Sequence, residues 1–209
     1  MHIAVAGNIG SGKTTLCEML ARHYGWQAEF ESVENNPYLK DFYKDMSRWA
    51  FHLQIYFLNS RFNQVNAIRE AKNTIIQDRT IYEDAYIFAA NLHRSGHIND
   101  RDYDSYLNIF ESMVKFVQPP DLLIYLKADI PKLVHQIQKR GRDYEDAIQL
   151  EYLKNLNTHY EEWLGSYKLG KLLTFDVNNM DFVANVEDFA KIIDRIDVEL
   201  FGLFSKPIR

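Results

Sequence analysis

The chain has 209 residues, of which 46% are hydrophobic and 25% charged, and its formal net charge is −5. This length and composition predict one globular domain, residues 1–209, with a full hydrophobic core. An acidic chain is poorly suited to binding polymeric nucleic acid through its overall field. Its one cysteine, Cys17, excludes an internal disulfide and predicts a cytoplasmic location. No apolar run is long enough for a bilayer and the N-terminus does not resemble a signal peptide, so no membrane association is expected.

Short apolar runs alternate with helical patterns along the chain. We predict strands at residues 2–6, 73–77, 121–126 and 172–177, and a fifth at residues 30–33. Helices are predicted at residues 13–24, 49–72, 129–139, 150–164 and 182–196. Continuously apolar strands that alternate with helices indicate an α/β fold, in which a five-stranded parallel sheet carries helices on both faces.

A glycine-rich segment lies between the first predicted strand and the first predicted helix. It fits the pattern G-x-x-x-x-G-K-[ST], whose backbone N–H groups and helix N-terminus attract phosphate. Lys13 is expected to reach the β- and γ-phosphates, and Thr14 to place its hydroxyl on Mg²⁺. We therefore predict ATP and Mg²⁺ as cofactors. The predicted ATP-binding residues of this loop are Gly7, Asn8, Ile9, Gly10, Ser11, Gly12, Lys13, Thr14 and Thr15.

Other charged residues could supply the remaining parts of a phosphoryl-transfer site. Such transfer needs a carboxylate near the acceptor, an acid facing the metal, and cations for the transferring oxygens. Glu31 is one carboxylate, and Asp78 with Arg79 ends a predicted strand, where α/β sheets bind ligands. Arg140 and Arg142 flank a glycine and suit a mobile lid at about residues 140–147. Each of these charges could instead be a solvated surface group or a helix cap.

The chain favours a small-molecule kinase over other nucleotide-binding classes. A GTPase would need an Asn-Lys-x-Asp segment, which the sequence lacks, and a motor ATPase is usually larger. Tyr43, Gln54 and Arg61 are 11 and 7 positions apart, offsets that return to nearly the same angle on one helix. If the segment is a single helix, these three side chains lie on one stripe and could bind a nucleoside. A solvated polar face explains the spacing equally well.

Taken together, these segments resemble the deoxyribonucleoside kinase family. The resemblance covers residues 7–15, Glu-Ser-Val-Glu at 31–34, Tyr-Lys-Asp through Trp-Ala to Gln at 43–54, and Asp-Arg-Thr-Ile-Tyr at 78–82. It continues through Arg-Gly-Arg with a glutamate at 140–145 and Asp-Val-Asn at 176–178. Ser32 departs from the family's proline, and Asp78 is shorter than the glutamate of many relatives. The resemblance implies a P-loop kinase that transfers the γ-phosphoryl group of ATP to the 5′-hydroxyl of a deoxyribonucleoside.

The resemblance also implies a role for each matching residue. Glu31 would accept the proton of the 5′-hydroxyl, with Asp78 as the competing candidate or as part of the Mg²⁺ shell. Arg79 would steady the 5′-oxygen and the transferring group, and Lys13 the phosphates. The other implied contacts are Tyr43 and Glu145 with the 3′-hydroxyl, Gln54 with the base edge, Phe88 against the ring, Arg140 and Arg142 over the phosphates, and Asp176 and Asn178 at the ATP adenine.

The pair Arg61 and Asp84 bears on the base. In the family such a pair goes with purine or cytosine substrates, so deoxyadenosine or deoxyguanosine is expected, with deoxycytidine as a further candidate. The resemblance also implies a homodimer that uses the long helix at residues 49–72. Two rival functions remain: a nucleoside monophosphate kinase of thymidylate-kinase type, and a non-catalytic nucleotide-binding subunit. The second usually loses the loop lysine or the carboxylates, which this chain keeps.

Overall fold

The fold is seen in a computed structural model that describes residues 1–30 and 36–202. Within this part of the chain the strands are β1 (His2–Gly7), β2 (Gln27–Glu29), β3 (Ile75–Asp78), β4 (Leu122–Lys127) and β5 (Lys171–Asp176). They form one parallel sheet in the order β2-β3-β1-β4-β5. The predicted α/β fold is confirmed. The strand predicted at residues 30–33 is misplaced, because β2 ends before Phe30, and residues 31–33 lie outside the described residues.

Helices connect the strands. They are α1 (Lys13–Tyr24), α2 (Leu39–Lys44), α3 (Met46–Glu70), α4 (Ile81–Glu83), α5 (Ala90–Arg94), α6 (Asp100–Val114), α7 (Ile130–Arg140), α8 (Leu150–Gly165) and α9 (Val186–Phe201). A π-helical segment, Asp84–Ala89, joins α4 to α5, and a 3-10 turn, Asp143–Ala147, follows α7. The last helix begins later than predicted, because Phe182 precedes α9. Within residues 1–30 and 36–202, none of the helices has the length and hydropathy to cross a membrane.

Both faces of the sheet are buried, and alternate strand residues serve the two faces. Ile3 and Val5 of β1 belong to a core that α1, α7 and α9 cover, whereas Ala4 and Ala6 face a second core beneath α2, α3 and α8. The small alanines allow the second layer of helices to approach β1 closely. A third apolar cluster, which includes Leu58 of α3, fills the space between α3 and α6.

The carboxyl ends of β1 and β3 meet at the centre of the sheet. The two strands are hydrogen-bonded neighbours, and Val5 lies opposite Asp78 in their register. The amide of Arg79 also donates a hydrogen bond to the carbonyl oxygen of Val5, at 3.0 Å. The fold thus brings the segment after β1 beside the segment after β3, at the edge where parallel α/β sheets bind ligands.

Candidate active site

The glycine-rich segment after β1 is a tight turn that requires glycine. Gly10 and Gly12 have φ angles of +85° and +95°, which side-chain-bearing residues rarely adopt. A Cβ atom at Gly10 would lie 2.7 Å from the carbonyl oxygen of Leu133. Lys13 begins α1 and is buried, and its Nζ donates a hydrogen bond to the carbonyl oxygen of Asn8 at 3.0 Å. The loop therefore has the backbone shape and the cation of a phosphate cradle.

Helix α8 supports this loop from one side. The Nδ2 atom of Asn8 donates to the carbonyl oxygen of Leu153 at 2.9 Å and to Oδ1 of Asn157 at 2.6 Å. Asn157 in turn donates to the carbonyl oxygen of Ala128, at 2.9 Å. These bonds fix the loop to α8 and to the residue that follows β4.

Thr14 and Asp78 form the part of the site that suits a divalent cation. The hydroxyl of Thr14 donates to Oδ2 of Asp78 at 2.5 Å. Asp78 is buried, and its Oδ1 atom has no hydrogen-bond partner in the described chain. A buried, unsatisfied carboxylate oxygen beside a hydroxyl matches the hard oxygen ligands that Mg²⁺ prefers. The described residues contain no group of three His, Cys, Asp or Glu side chains that could hold a metal ion. A cation held by Thr14 and Asp78 would take its other ligands from phosphate and water.

Arg79 is held in an unusual backbone conformation next to Asp78. Its φ angle is +71°, and it is the described chain's one non-glycine residue with a positive φ. The side chain is buried, and its guanidinium carbon lies 4.1 Å from the ring centre of Phe88. A non-glycine residue in this region costs about 1–2 kcal/mol and marks a functional constraint.

A cavity of about 450 Å³ opens beside the loop. Lys13, Thr14, Asp78 and Arg79 lie at its wall together with aromatic side chains such as Phe57. Burial raises the pKa of the cavity residue Tyr152, so its hydroxyl keeps its proton at neutral pH. The volume suits a small molecule, and the wall combines charged and polar groups with aromatic side chains.

Gln54, Asp84 and Phe88 also line this cavity. Gln54 is 2% exposed, and its Oε1 atom has no hydrogen-bond partner within the described residues. Asp84 and Phe88 belong to the π-helical segment, whose wider turn brings residues four apart to nearly the same side. Such segments are frequent at functional sites.

Arg61 supports this wall without itself lining the cavity. Its Nε donates to Oδ2 of Asp84 at 3.3 Å, and its Nη1 donates to the carbonyl oxygen of Asp78 at 3.1 Å. A further bond from Nη1 to Oε1 of Gln64, at 3.1 Å, fixes the guanidinium. Arg61 thus links the acidic group of the cavity wall to the carboxyl end of β3.

The region after α7 brings its charged side chains together at the cavity. Arg140 forms two hydrogen bonds with Glu145, at 3.1 and 2.6 Å, and Nη1 of Arg142 lies 3.5 Å from the same carboxylate. Glu145 is 5% exposed, whereas both arginines are partly exposed. Tyr144 stacks on Tyr43 with ring centres 5.9 Å apart. All five side chains line the cavity.

The sequence profile of the Deoxynucleoside kinase family matches residues 3–201 of this chain. The chain belongs to this family. It resembles a deoxyadenosine/deoxycytidine kinase of Bacillus subtilis, with 39% identity over 196 residues that cover 93% of this chain and 90% of the relative. A deoxyadenosine kinase of Lactobacillus acidophilus is 35% identical over 207 residues, which cover 95% of each chain. The structure of a deoxyadenosine kinase from M. mycoides with bound dATP has a TM-score of 0.85 and 30% identity, over 94% of this chain and 100% of that one.

Family membership makes the chain a phosphotransferase that phosphorylates a nucleoside with a nucleotide as donor. The resemblance stated from the sequence is therefore confirmed. Neither the monophosphate kinase nor the non-catalytic subunit is favoured by these relatives, which are all named as nucleoside kinases.

The kinase site differs from the sequence interpretation in the helices that carry it. Tyr43, Gln54 and Arg61 do not share one helix, because α2 ends at Lys44 and Asp45 caps a new helix by accepting a hydrogen bond from the amide of Arg48. Tyr43 and Gln54 still line the cavity, since α2 and α3 pack together. Asp176 and Asn178 lie outside the cavity, where Asn178 accepts a hydrogen bond from the amide of Asp129 at 2.8 Å. Glu31 lies outside the described residues.

Sequence reasoning also missed buried residues of the kinase site. Glu83 and Tyr160 contact Gly7 at the start of the loop, and neither was expected to do so. A signal for Glu83 was present, because Thr80 and Glu83 fit the capping-box spacing. No local pattern marks Tyr160, whose place depends on how α8 packs against the sheet.

Proposed function

We propose that this deoxynucleoside kinase transfers the γ-phosphoryl group of ATP to the 5′-hydroxyl of a purine deoxynucleoside, with deoxyadenosine as its best substrate. Deoxyguanosine and deoxycytidine are proposed as weaker substrates. The observation that carries the proposal is the buried amide of Gln54, whose oxygen lacks a partner at the cavity wall that Asp84 also lines. The relatives named for deoxyadenosine and deoxycytidine, at 39% and 35% identity, support the same choice, since the deoxyguanosine kinases of Lactobacillus and Bacillus subtilis are 32–33% identical.

The polar groups of the wall suit a base that carries an exocyclic amine. An amide pairs with adenine by accepting from the 6-amino group and donating to N1, and cytosine offers the same donor and acceptor order. Asp84 adds a second acceptor, which Arg61 orients through its hydrogen bond at 3.3 Å. Thymine would place a carbonyl oxygen and a methyl group near Asp84, which can only accept, so buried polar groups would be left unpaired there.

The proposed chemistry uses residues that line the cavity, together with Glu31, which lies outside the described residues. The glycine-rich loop and Lys13 would hold the triphosphate, while Thr14 and Asp78 would hold Mg²⁺, whose charge would offset that of the transferring group. Glu31 is proposed to accept the proton of the 5′-hydroxyl, and Arg79 to steady the 5′-oxygen. Tyr43 and Glu145 are proposed to bind the 3′-hydroxyl. Arg140 and Arg142 close over the phosphates and exclude water.

The base assignment predicts a specific order of catalytic efficiencies. With Mg-ATP, kcat/KM is expected to be highest for deoxyadenosine and about 100-fold lower for thymidine. Gln54→Leu should lower kcat/KM for deoxyadenosine, because the 6-amino group and N1 both lose their partners in the amide. The measurement is a phosphorylation assay with the four deoxynucleosides and the matching monophosphates. Gln118→Leu, a change at an exposed glutamine, is the control.

Three results would count against this assignment. If thymidine were the best substrate, the proposed preference for adenine would be wrong, and phosphorylation of a deoxynucleoside would still stand. An unchanged kcat/KM for deoxyadenosine in Gln54→Leu would remove Gln54 from base recognition. Activity on monophosphates alone would replace the proposed acceptor.

A homodimer is proposed through α3 and the end of α6. Apolar side chains are exposed there, with Ile109 40% and Phe116 65% exposed, beside Phe62 and Met113. Analytical ultracentrifugation is expected to give a mass of twice the chain's 24.6 kDa. The substitution Ile109→Arg should lower the measured mass toward that of the monomer. Val198→Arg on α9, where Val198 is 47% exposed, should leave the dimer intact. A monomeric parent protein would contradict the proposal.

A cytoplasmic location is also proposed. Cys17 is a buried thiol in the described chain, which suits a reducing compartment.

A further inference from the structure

Glu83 is a buried carboxylate that the proposed reaction does not use. It is 0% exposed and does not line the cavity. Its oxygens accept hydrogen bonds from the amide and hydroxyl of Thr80, at 2.7 and 3.1 Å, and from the amide of Gly7, at 3.3 Å. The hydroxyl of Tyr160 donates a further bond to Oε1, at 2.7 Å. A buried carboxylate is stable only when hydrogen-bond donors such as these satisfy it, so these contacts hold Glu83 in one position.

Tyr160 completes the hold on Gly7. Its hydroxyl lies 2.7 Å from the carbonyl oxygen of Gly7 and 2.7 Å from Oε1 of Glu83. Burial, together with the neighbouring Glu83, raises the pKa of Tyr160 well above its ordinary value, so the hydroxyl keeps its proton. The single proton of the Tyr160 hydroxyl is shared between the carbonyl oxygen of Gly7 and Oε1 of Glu83, while the Gly7 amide donates to Glu83, so the two side chains together hold both backbone polar groups of Gly7. Gly7 is the first residue of the phosphate-binding loop.

The same carboxylate also fixes the turn that carries Arg79. Thr80 follows Arg79 directly, and its capping box with Glu83 starts α4. On the other side of Arg79, its own backbone N–H donates a hydrogen bond to the carbonyl oxygen of Val5, at 3.0 Å. These two attachments hold its backbone at a φ of +71°. One side chain, Glu83, thus connects the loop that binds phosphate with the turn that presents Arg79.

We propose that Glu83 and Tyr160 form a clasp that positions the phosphate-binding loop and Arg79 relative to each other for phosphoryl transfer. They are positioning residues, because neither lines the cavity and both act through Gly7 and Thr80. The proposal rests on the function proposed above. Glu83 directly precedes Asp84, but its carboxylate is bound by Gly7, Thr80 and Tyr160 and does not line the cavity, so loosening the clasp affects the transfer step more than nucleoside binding.

Tyr160→Phe tests the clasp while it keeps the aromatic ring. The control is Tyr125→Phe, since the two rings stack with centres 5.7 Å apart and the Tyr125 hydroxyl is bound by Glu161, at 3.2 Å, away from the loop. Tyr160→Phe is expected to lower kcat about tenfold or more, because small misplacements of reacting groups are costly. The KM for deoxyadenosine should stay within about twofold. Tyr125→Phe should leave both values near those of the parent protein.

Glu83→Gln provides a second, independent variant. It should also lower kcat, and the double variant Glu83→Gln with Tyr160→Phe should lose less than the product of the single losses, because both residues serve one unit. Melting temperatures are recorded for every variant, and kcat is compared at a temperature where all of them are folded.

Each outcome bears on the clasp. A kcat for Tyr160→Phe within twofold of Tyr125→Phe would overturn it, as would a loss that appears in KM alone. Fully multiplicative losses in the double variant would show that Glu83 and Tyr160 do not act together. A parent protein without nucleoside kinase activity would instead remove the proposed function, so the two failures are distinguishable.

Discussion

Replacing Asp78 with asparagine is expected to lower kcat at least about 100-fold and to raise the Mg²⁺ concentration needed for half-maximal rate. The reason is the position of its carboxylate. Oδ2 is bound to the hydroxyl of Thr14, and the buried Oδ1 is unsatisfied in the described chain. Asparagine keeps the size of the side chain and removes the charge, so the cation loses a ligand of the right kind. The measurement is a Mg²⁺ titration of the initial rate at saturating deoxyadenosine.

Glu31→Gln separates the two carboxylates that compete for the role of general base. If Glu31 takes the proton, this variant should lose about 10²–10⁴-fold in kcat while its Mg²⁺ dependence stays that of the parent protein. Asp197→Asn is the control, because that carboxylate also accepts a hydroxyl hydrogen bond, from Tyr24 at 2.7 Å, but lies on α9. An unchanged Mg²⁺ requirement in Asp78→Asn would remove Asp78 from the metal site. Near-normal turnover in Glu31→Gln would leave Asp78 as the base.

Arg79→Gly and Arg79→Ala are expected to abolish most activity but to differ in stability. Both remove the guanidinium, and loss of an arginine that stabilises phosphoryl transfer typically costs about 10³-fold in kcat. At a φ of +71°, however, glycine is unstrained whereas alanine is not. The glycine variant should therefore be about 1 kcal/mol more stable than the alanine variant, which corresponds to a melting temperature about 2–4 °C higher for a chain of this size.

The comparison needs kcat from the phosphorylation assay and melting curves for both variants. Arg48→Ala is the control, since Arg48 also lies over an aromatic ring, that of Trp49 at 5.2 Å, but is exposed and outside the cavity. It should keep the parent activity. Equal melting temperatures for the two Arg79 variants would show that the turn relaxes when the side chain is lost, and normal turnover in either would exclude Arg79 from the transfer step.

Those parts of the fold that depend on local pattern were predictable. The glycine-rich loop and α1 follow from a motif and a periodicity within a few turns of chain, and α1 begins and ends at the predicted residues. The break between α2 and α3 was harder, because Asp45 acts as a cap only if the chain turns there. The spacing of Tyr43 and Gln54 along the sequence is compatible both with one continuous helix and with two helices separated by a break.

Contacts between distant segments could not be obtained from the sequence alone. Glu83 and Tyr160 are 77 positions apart, and their hydrogen bond exists only because α8 packs on the second face of the sheet. The π-helical segment that carries Asp84 and Phe88 has no local signature either. Resemblance to the family supplied these two residues where physical pattern reasoning could not.

The lid region is a short bridge between two helices that both support the phosphate-binding loop. On one side α7 presents the Leu133 carbonyl to Gly10 and ends at Gly141, whose φ is +65°. On the other side α8 begins at Leu150 and holds Asn8 through Asn157. The bridge can therefore change in length or sequence without loss of either support. We expect substitutions in this bridge to move the charged pair of Arg142 and Glu145 while the two supports of the phosphate-binding loop stay in place.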